Sequence, residues 1–246
     1  MRQIISNYEL VASIPAGEHA FIGNSSSEKS VIFRVFKDVS LPVRVLDIGF
    51  GCGSLGELIK NNPDTSHWQV DGIDGYDISC RNIDLFNKRY YRNIWHTPAQ
   101  DVPIERMREY DVLCLLDVIE HLHVEEAKRL LKKLLLSLRE DSFLFISTPL
   151  WFYPQNNQEA GDLEEHLIGV PASSMMALLP LMYAISSDFV GNFVYGRQSI
   201  DYIDLFQPVT DKAFSLERGV NVAVAVGMQL TPGILNTMPP PVKLKG

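Results

Sequence analysis

The run Val45-Leu46-Asp47-Ile48-Gly49-Phe50-Gly51-Cys52-Gly53 restricts this chain more than any other stretch. A short apolar strand leads into an acidic residue and then into three glycines spaced two apart. That order describes a strand, a tight turn with no room for side chains, and the start of a helix. Such a turn lets a ligand lie against bare backbone, where the helix N-terminus offers unpaired N–H groups. Strand and helix patterns alternate from there on, which predicts a parallel sheet covered on both faces. At 246 residues the chain is long enough for one large α/β domain with an adequate core.

Strands are expected at Arg44 to Ile48, Trp68 to Ile73 (closed by Asp74), Val112 to Leu116 and Phe143 to Ser147. A helix over Leu55 to Asn61 stops at Asn62-Pro63. Another, capped by Asp77 or Ser79, carries Ile83, Phe86 and Tyr90. An amphipathic helix over Val124 to Leu138 turns Lys128, Arg129, Lys132 and Lys133 to solvent. Val220 to Val226 is the best late strand, preceded by a weaker one near Phe189 to Tyr195. Residues 1–40, with a helix over Glu28 to Lys37, read as an N-terminal cap over the site. Residues 41–230 form the main domain, and 231–246, with Pro239-Pro240-Pro241, an extended tail. Trp151, Phe152, Tyr153 and the run Met175 to Pro180 read more readily as core packing than as lining for a small acceptor.

The glycines fit two frames. Gly51-Cys52-Gly53-Ser54-Leu55-Gly56 reads as the dinucleotide fingerprint G-x-G-x-x-G. Asp47 discriminates, because a carboxylate beside the turn repels a pyrophosphate but suits a ligand with an ammonium and a sulfonium. Asp74, about 20 residues after Gly53, can accept both hydroxyls of a ribose, which supports a ribose-bearing cofactor of either kind. The whole run resembles motif I, D/E-x-G-x-G-x-G, of the class I S-adenosylmethionine (SAM) methyltransferases. The resemblance implies a Rossmann-like, doubly wound, seven-stranded, mostly parallel sheet with helices on both faces and an antiparallel last strand. It implies SAM as cofactor. Asp47 would hold its amino-acid end through the local network, and Gly49, Gly51 and Gly53 would let the methionine moiety approach. Asp101, in Ala99-Gln100-Asp101, would accept from the adenine amino group.

A second stretch, Tyr110 to Leu122, joins with Phe145-Ile146-Ser147-Thr148-Pro149 and Glu164-Glu165-His166. Together they resemble the ubiquinone-biosynthesis O-methyltransferases and the small-RNA 2′-O-methyltransferases, over roughly residues 40–170. Both groups carry E-x-x-E-H after the fourth strand and a further His after S-T-P; here Asp117 replaces the first Glu. On a helical turn Asp117, Glu120 and His121 fall at i, i+3 and i+4 and face one way. His166 then completes a mixed oxygen and nitrogen set suited to Mg²⁺ or Mn²⁺. Without a metal, His121 or His166 serves as general base. A structural role, with Glu120-His121 opening a helix beside the cofactor, stays open as well.

The formal charge of −8 argues against a nucleic-acid partner. Three scattered cysteines, Cys52, Cys80 and Cys114, build neither a disulfide framework nor a Cys-rich zinc site, and fit a reducing cytoplasm. The chain lacks an apolar leader, and its longest nearly apolar stretch, Ser174 to Ile185, is short and holds Pro180, so no membrane insertion is expected. No motif specifies an oligomeric state. The expectation is a SAM-dependent methyltransferase acting on a small-molecule acceptor, at oxygen. Alternatives are a small-RNA 2′-O-methyltransferase, a NAD-dependent oxidoreductase, and a non-catalytic SAM-binding protein.

Overall fold

In the computed structural model the described residues are 43–197, apart from 83, 84, 86, 87, 151, 158–160 and 186–188. They hold seven strands: β1 Arg44–Ile48, β2 Gln69–Asp74, β3 Asn93–His96, β4 Val112–Leu116, β5 Phe143–Pro149, β6 Met182–Ile185 and β7 Val190–Tyr195. One sheet joins them in the order β3-β2-β1-β4-β5-β7-β6. β1 to β5 pair in parallel, and β7 runs antiparallel to both of its neighbours.

The strands alternate between two cores. Val45, Val112, Cys114, Phe143 and Phe145 pack with Leu55 and Ile59 of helix α1 (Ser54–Asn61) on one face. Leu46, Leu113, Leu115, Leu144 and Ile146 face Leu130, Leu131, Leu134 and Leu135 on the other. Those leucines belong to the long helix Val124–Ser137, whose apolar stripe at helical spacing fixes which side it buries. Helices therefore cover both faces, and strand order reverses between β1 and β4. Such a reversal opens a crevice at the strands' carboxyl ends.

Some expectations are corrected, and others fall outside the described residues. Among the described residues the antiparallel partner of β5 is Val190–Tyr195, paired from Leu144↔Tyr195 to Pro149↔Val190. The run Val220 to Val226, the cap of residues 1–40 and the tail of residues 231–246 lie outside the described residues. β3 escaped the sequence reading because its pattern is exposed at both ends and only partly buried between. The helix after β2 spans only Asp77–Cys80, and its N-cap is Tyr76, not Asp77 or Ser79. Ile83 and Phe86 lie outside the described residues. Met175, Ala177 and Leu178 are fully in the core. Among the described residues no helix is long and apolar enough to cross a membrane.

Candidate active site

A cavity of about 1030 Å³ opens at the carboxyl ends of β1, β2, β4 and β5. One end is built by the glycine turn. Gly49 (φ +71°) and Gly51 (φ +53°) occupy left-handed backbone that glycine adopts without steric cost. The Gly51 N–H donates to Oδ2 of Asp74 at 2.9 Å, and the Tyr76 N–H donates to Oδ1 at 2.8 Å. Each carboxylate oxygen keeps further acceptor capacity. Burial pushes the Asp74 carboxyl above the usual carboxylate range, opposed by those two N–H donors. Gly49, Gly51 and Asp74 all line the cavity.

Three predicted cofactor residues lie outside that lining. Gly53 (φ +85°) is the N-cap of α1, and its N–H donates to the Phe50 carbonyl at 2.8 Å, so it closes the turn. Asp47 is buried, and its Oδ2 accepts the Tyr91 hydroxyl at 2.7 Å. Asp101 faces a second cavity of about 300 Å³, shared with Trp95 and Arg106. The main cavity is lined instead by residues 97–100. The short 3₁₀ turn Ala99–Asp101 separates neighbours in this way, placing Gln100 on one cavity and Asp101 on the other.

At the opposite end stand the residues read from the second motif. Asp117 has φ +53°, and the 3₁₀ turn Ile119–His121 begins two residues later. The segment is thus no α-helical turn, and the i, i+3, i+4 argument fails for Asp117. Its carboxylate accepts the Ser147 hydroxyl at 2.7 Å. Glu120, His121 and His166 do converge, with one ligand atom from each lying within 4.8 Å of the others. Glu120 is 2% exposed; its Oε2 accepts the Thr148 hydroxyl at 3.1 Å, and its Oε1 is buried with no hydrogen-bond partner. Burial, with the nearby Asp117 carboxylate, pushes the Glu120 carboxyl well up.

Both imidazoles are held from behind. Nδ1 of His121 lies 3.0 Å from the Glu165 carbonyl, and Nδ1 of His166 lies 2.7 Å from the Tyr153 carbonyl. A carbonyl only accepts, so Nδ1 carries the hydrogen in both rings and Nε2 keeps its lone pair. Burial and the neighbouring His166 push His121 down to about 4, and burial lowers His166. The segment bearing His166 is fixed to the turn by main chain, since the Leu167 and Ile168 N–H groups both donate to the Glu120 carbonyl. Tyr153, Gln155 and Phe189 also line this end. Phe189 is 65% exposed with φ +59°, an outlier for a bulky side chain that nothing in the sequence pattern signalled. Ser147 and Thr148 were visible only as part of S-T-P; their partners Asp117 and Glu120 come from another strand end.

A family model described as "Methyltransferase domain" matches residues 19–175, more than half of the chain. The chain belongs to the methyltransferase-domain family. No curated protein matches this methyltransferase by sequence. Among solved structures, the 1,6-didemethyltoxoflavin-N1-methyltransferase of Burkholderia thailandensis superposes with TM-score 0.51 at 15% identity, over 68% of this chain and 75% of that one. The PH0226 protein of Pyrococcus horikoshii OT3 superposes with TM-score 0.50 at 14% identity, over 65% and 84%. A Rhodobacter sphaeroides protein provisionally described as a Zn-dependent alcohol dehydrogenase also reaches 0.50, at 16% identity over 69% and 88%. At these identities the likeness concerns the fold that the methyltransferase shares with them.

Proposed function

We propose that this methyltransferase uses SAM to methylate an oxygen of a small-molecule acceptor. One observation carries the reading: a single cavity joins the Gly49–Gly51–Asp74 turn to the Glu120–His121–His166 cluster. The turn suits the cofactor. Asp74 receives the ribose hydroxyls on its remaining lone pairs, residues 97–100 flank the base, and Gly49 leaves backbone bare for the methionine moiety. The Burkholderia structure, which holds S-adenosylhomocysteine, supports the choice of cofactor. Bound SAM supplies an activated methyl group, so this chain's residues act mainly by positioning. Asp47 and Gly53 shape the turn from behind, and Asp101 serves the second cavity.

The cluster suits a divalent cation. It offers two imidazole Nε2 lone pairs, each oriented by a backbone carbonyl, and a buried carboxylate oxygen that lacks a partner. Glu120, His121 and His166 would hold Mg²⁺, Mn²⁺ or a similar ion, with Asp117 outside the set. Such an ion lowers the pKa of a coordinated hydroxyl. The E-x-x-E-H likeness to ubiquinone-biosynthesis O-methyltransferases supports oxygen as the methylated atom. A metal-free reading rests on a different fact: both imidazoles are neutral near pH 7 and can take a proton at Nε2.

Isothermal titration with S-adenosylhomocysteine, and NAD⁺ in parallel, tests the cofactor. Micromolar binding of the former alone is expected; binding of NAD⁺ alone would assign the turn to an oxidoreductase. Mn²⁺ titration then separates the two catalytic readings. His121→Ala and His166→Ala should each abolish Mn²⁺ binding while Asp117→Ala retains it, and no binding to the unmodified protein leaves the general base.

A further inference from the structure

We propose that Tyr91 is a positioning residue for the amino-acid end of the cofactor, acting through Asp47; this rests on the cofactor reading above. Helix α1 starts at Ser54 behind Gly53, an N-cap with no side chain to satisfy the first N–H groups. The N–H of Gly56, in that first turn, donates instead to the Tyr91 hydroxyl at 3.2 Å. That hydroxyl donates to Asp47 Oδ2 at 2.7 Å. A side chain 35 residues away therefore caps the helix and passes the polarity on to the carboxylate at the end of β1.

Gly56 makes room for this ring, since a Cβ there would lie 2.5 Å from Tyr91 Cε2. The ring also stands near Gly53 and Gly72, where a Cβ would first meet Leu85 Cδ2 at 2.4 Å and Phe50 Cδ1 at 2.7 Å, with Tyr91 at 3.1 and 3.0 Å. Phe50 packs against the ring, with centroids 5.3 Å apart. The glycine that completes the G-x-G-x-x-G spacing is thus accounted for by Tyr91, with no pyrophosphate needed. Asp47 is 3% exposed, and a carboxyl buried to that degree needs hydrogen-bond donors such as the Tyr91 hydroxyl. Burial and Asp47 hold the phenol far above its usual range, so it stays a donor at every working pH. The relay fixes the Asp47 carboxyl behind the glycine turn, and on the proposed function the amino-acid end of the cofactor lies against that turn.

The test compares two ligands. Tyr91→Phe removes the hydroxyl and keeps the ring that fills the space at Gly56. Titration with S-adenosylhomocysteine should show about a tenfold loss of affinity, as expected for one buried charge-assisted hydrogen bond. Adenosine, which lacks the amino-acid end, should bind the variant within about twofold of the unmodified protein. Equal losses for both ligands, or none for either, overturn the proposal while leaving the cofactor reading intact. Failure of the unmodified protein to bind S-adenosylhomocysteine sinks both. Should Tyr91→Phe not fold, Asp47→Asn gives the same split: a selective loss for S-adenosylhomocysteine supports the relay, and an equal one overturns it.

Discussion

His121 and His166 stand edge to face with ring centroids 4.7 Å apart, each giving its Nδ1 hydrogen to a main-chain carbonyl. Two cationic rings at that separation would repel, so the pair is built to be neutral. Folding therefore depresses the His121 pKa from an unfolded value near 6.5 to about 4. A depressed pKa means that the unfolded chain binds the proton first as pH falls. The contribution is whole above about pH 6.5 and drains away toward pH 4. Urea unfolding from pH 8 to 4.5 should show the unmodified protein losing stability faster than His121→Gln, by up to about one proton in the linkage slope. Parallel curves would show that His121 titrates normally.

Glu120 has the opposite sign. Its raised pKa means that the folded state holds a proton the unfolded chain would release, so this carboxyl costs stability as pH rises. Glu120→Gln removes the titrating carboxyl, whose proton must be held in the folded state, and keeps an oxygen for Thr148 to donate to. In EDTA at pH 8 the variant should melt a few degrees higher, consistent with about 1–2 kcal/mol. Methyl transfer should fall at least tenfold. A lower melting temperature would show that Glu120 is ionised and well satisfied.

Asp74→Ala removes the acceptor of the Gly51 and Tyr76 N–H groups together with the ribose contacts proposed for it. Two hydrogen bonds at about 1–1.5 kcal/mol each predict roughly a hundredfold weaker S-adenosylhomocysteine binding. Calorimetric affinity within threefold of the unmodified protein would take Asp74 out of the ribose role.

Gly49→Ala tests the turn itself. The new Cβ would sit 2.5 Å from Val118 Cγ2, on backbone at φ +71° that alanine disfavours. A loss of about 2–3 kcal/mol is expected, seen as a melting temperature lower by roughly 5–10 °C. Val118→Ala in the same chain should recover part of it. No recovery would assign the whole cost to the backbone.

The parallel strands β1, β2, β4 and β5 were legible because both of their faces are buried, giving unbroken runs such as Val112 to Leu116. β3 and β6 were not. Asn93–His96 is a four-residue edge strand, and Met182–Ile185 hides in an apolar stretch interrupted by Pro180. In the site, Asp74 was legible as a cavity residue because it closes a strand just across from the glycine turn. Asp117 misled because spacing alone cannot report that a residue sits at positive φ, where a helical face does not exist. Tyr91 left no local trace: its partners are 44 and 35 positions away, and only the glycine at 56 marks the place its ring fills.

The clamp of Leu167 and Ile168 N–H groups on the Glu120 carbonyl is made wholly of main chain, so it tolerates almost any change of side chain. Between β5 and that clamp runs the stretch with Phe152, Tyr153 and Gln155, the first two well exposed. Side-chain changes there would alter the cavity wall while the main-chain clamp keeps the segment bearing His166 in place. On the proposed function, that makes this stretch the natural region to randomise when a new acceptor is wanted.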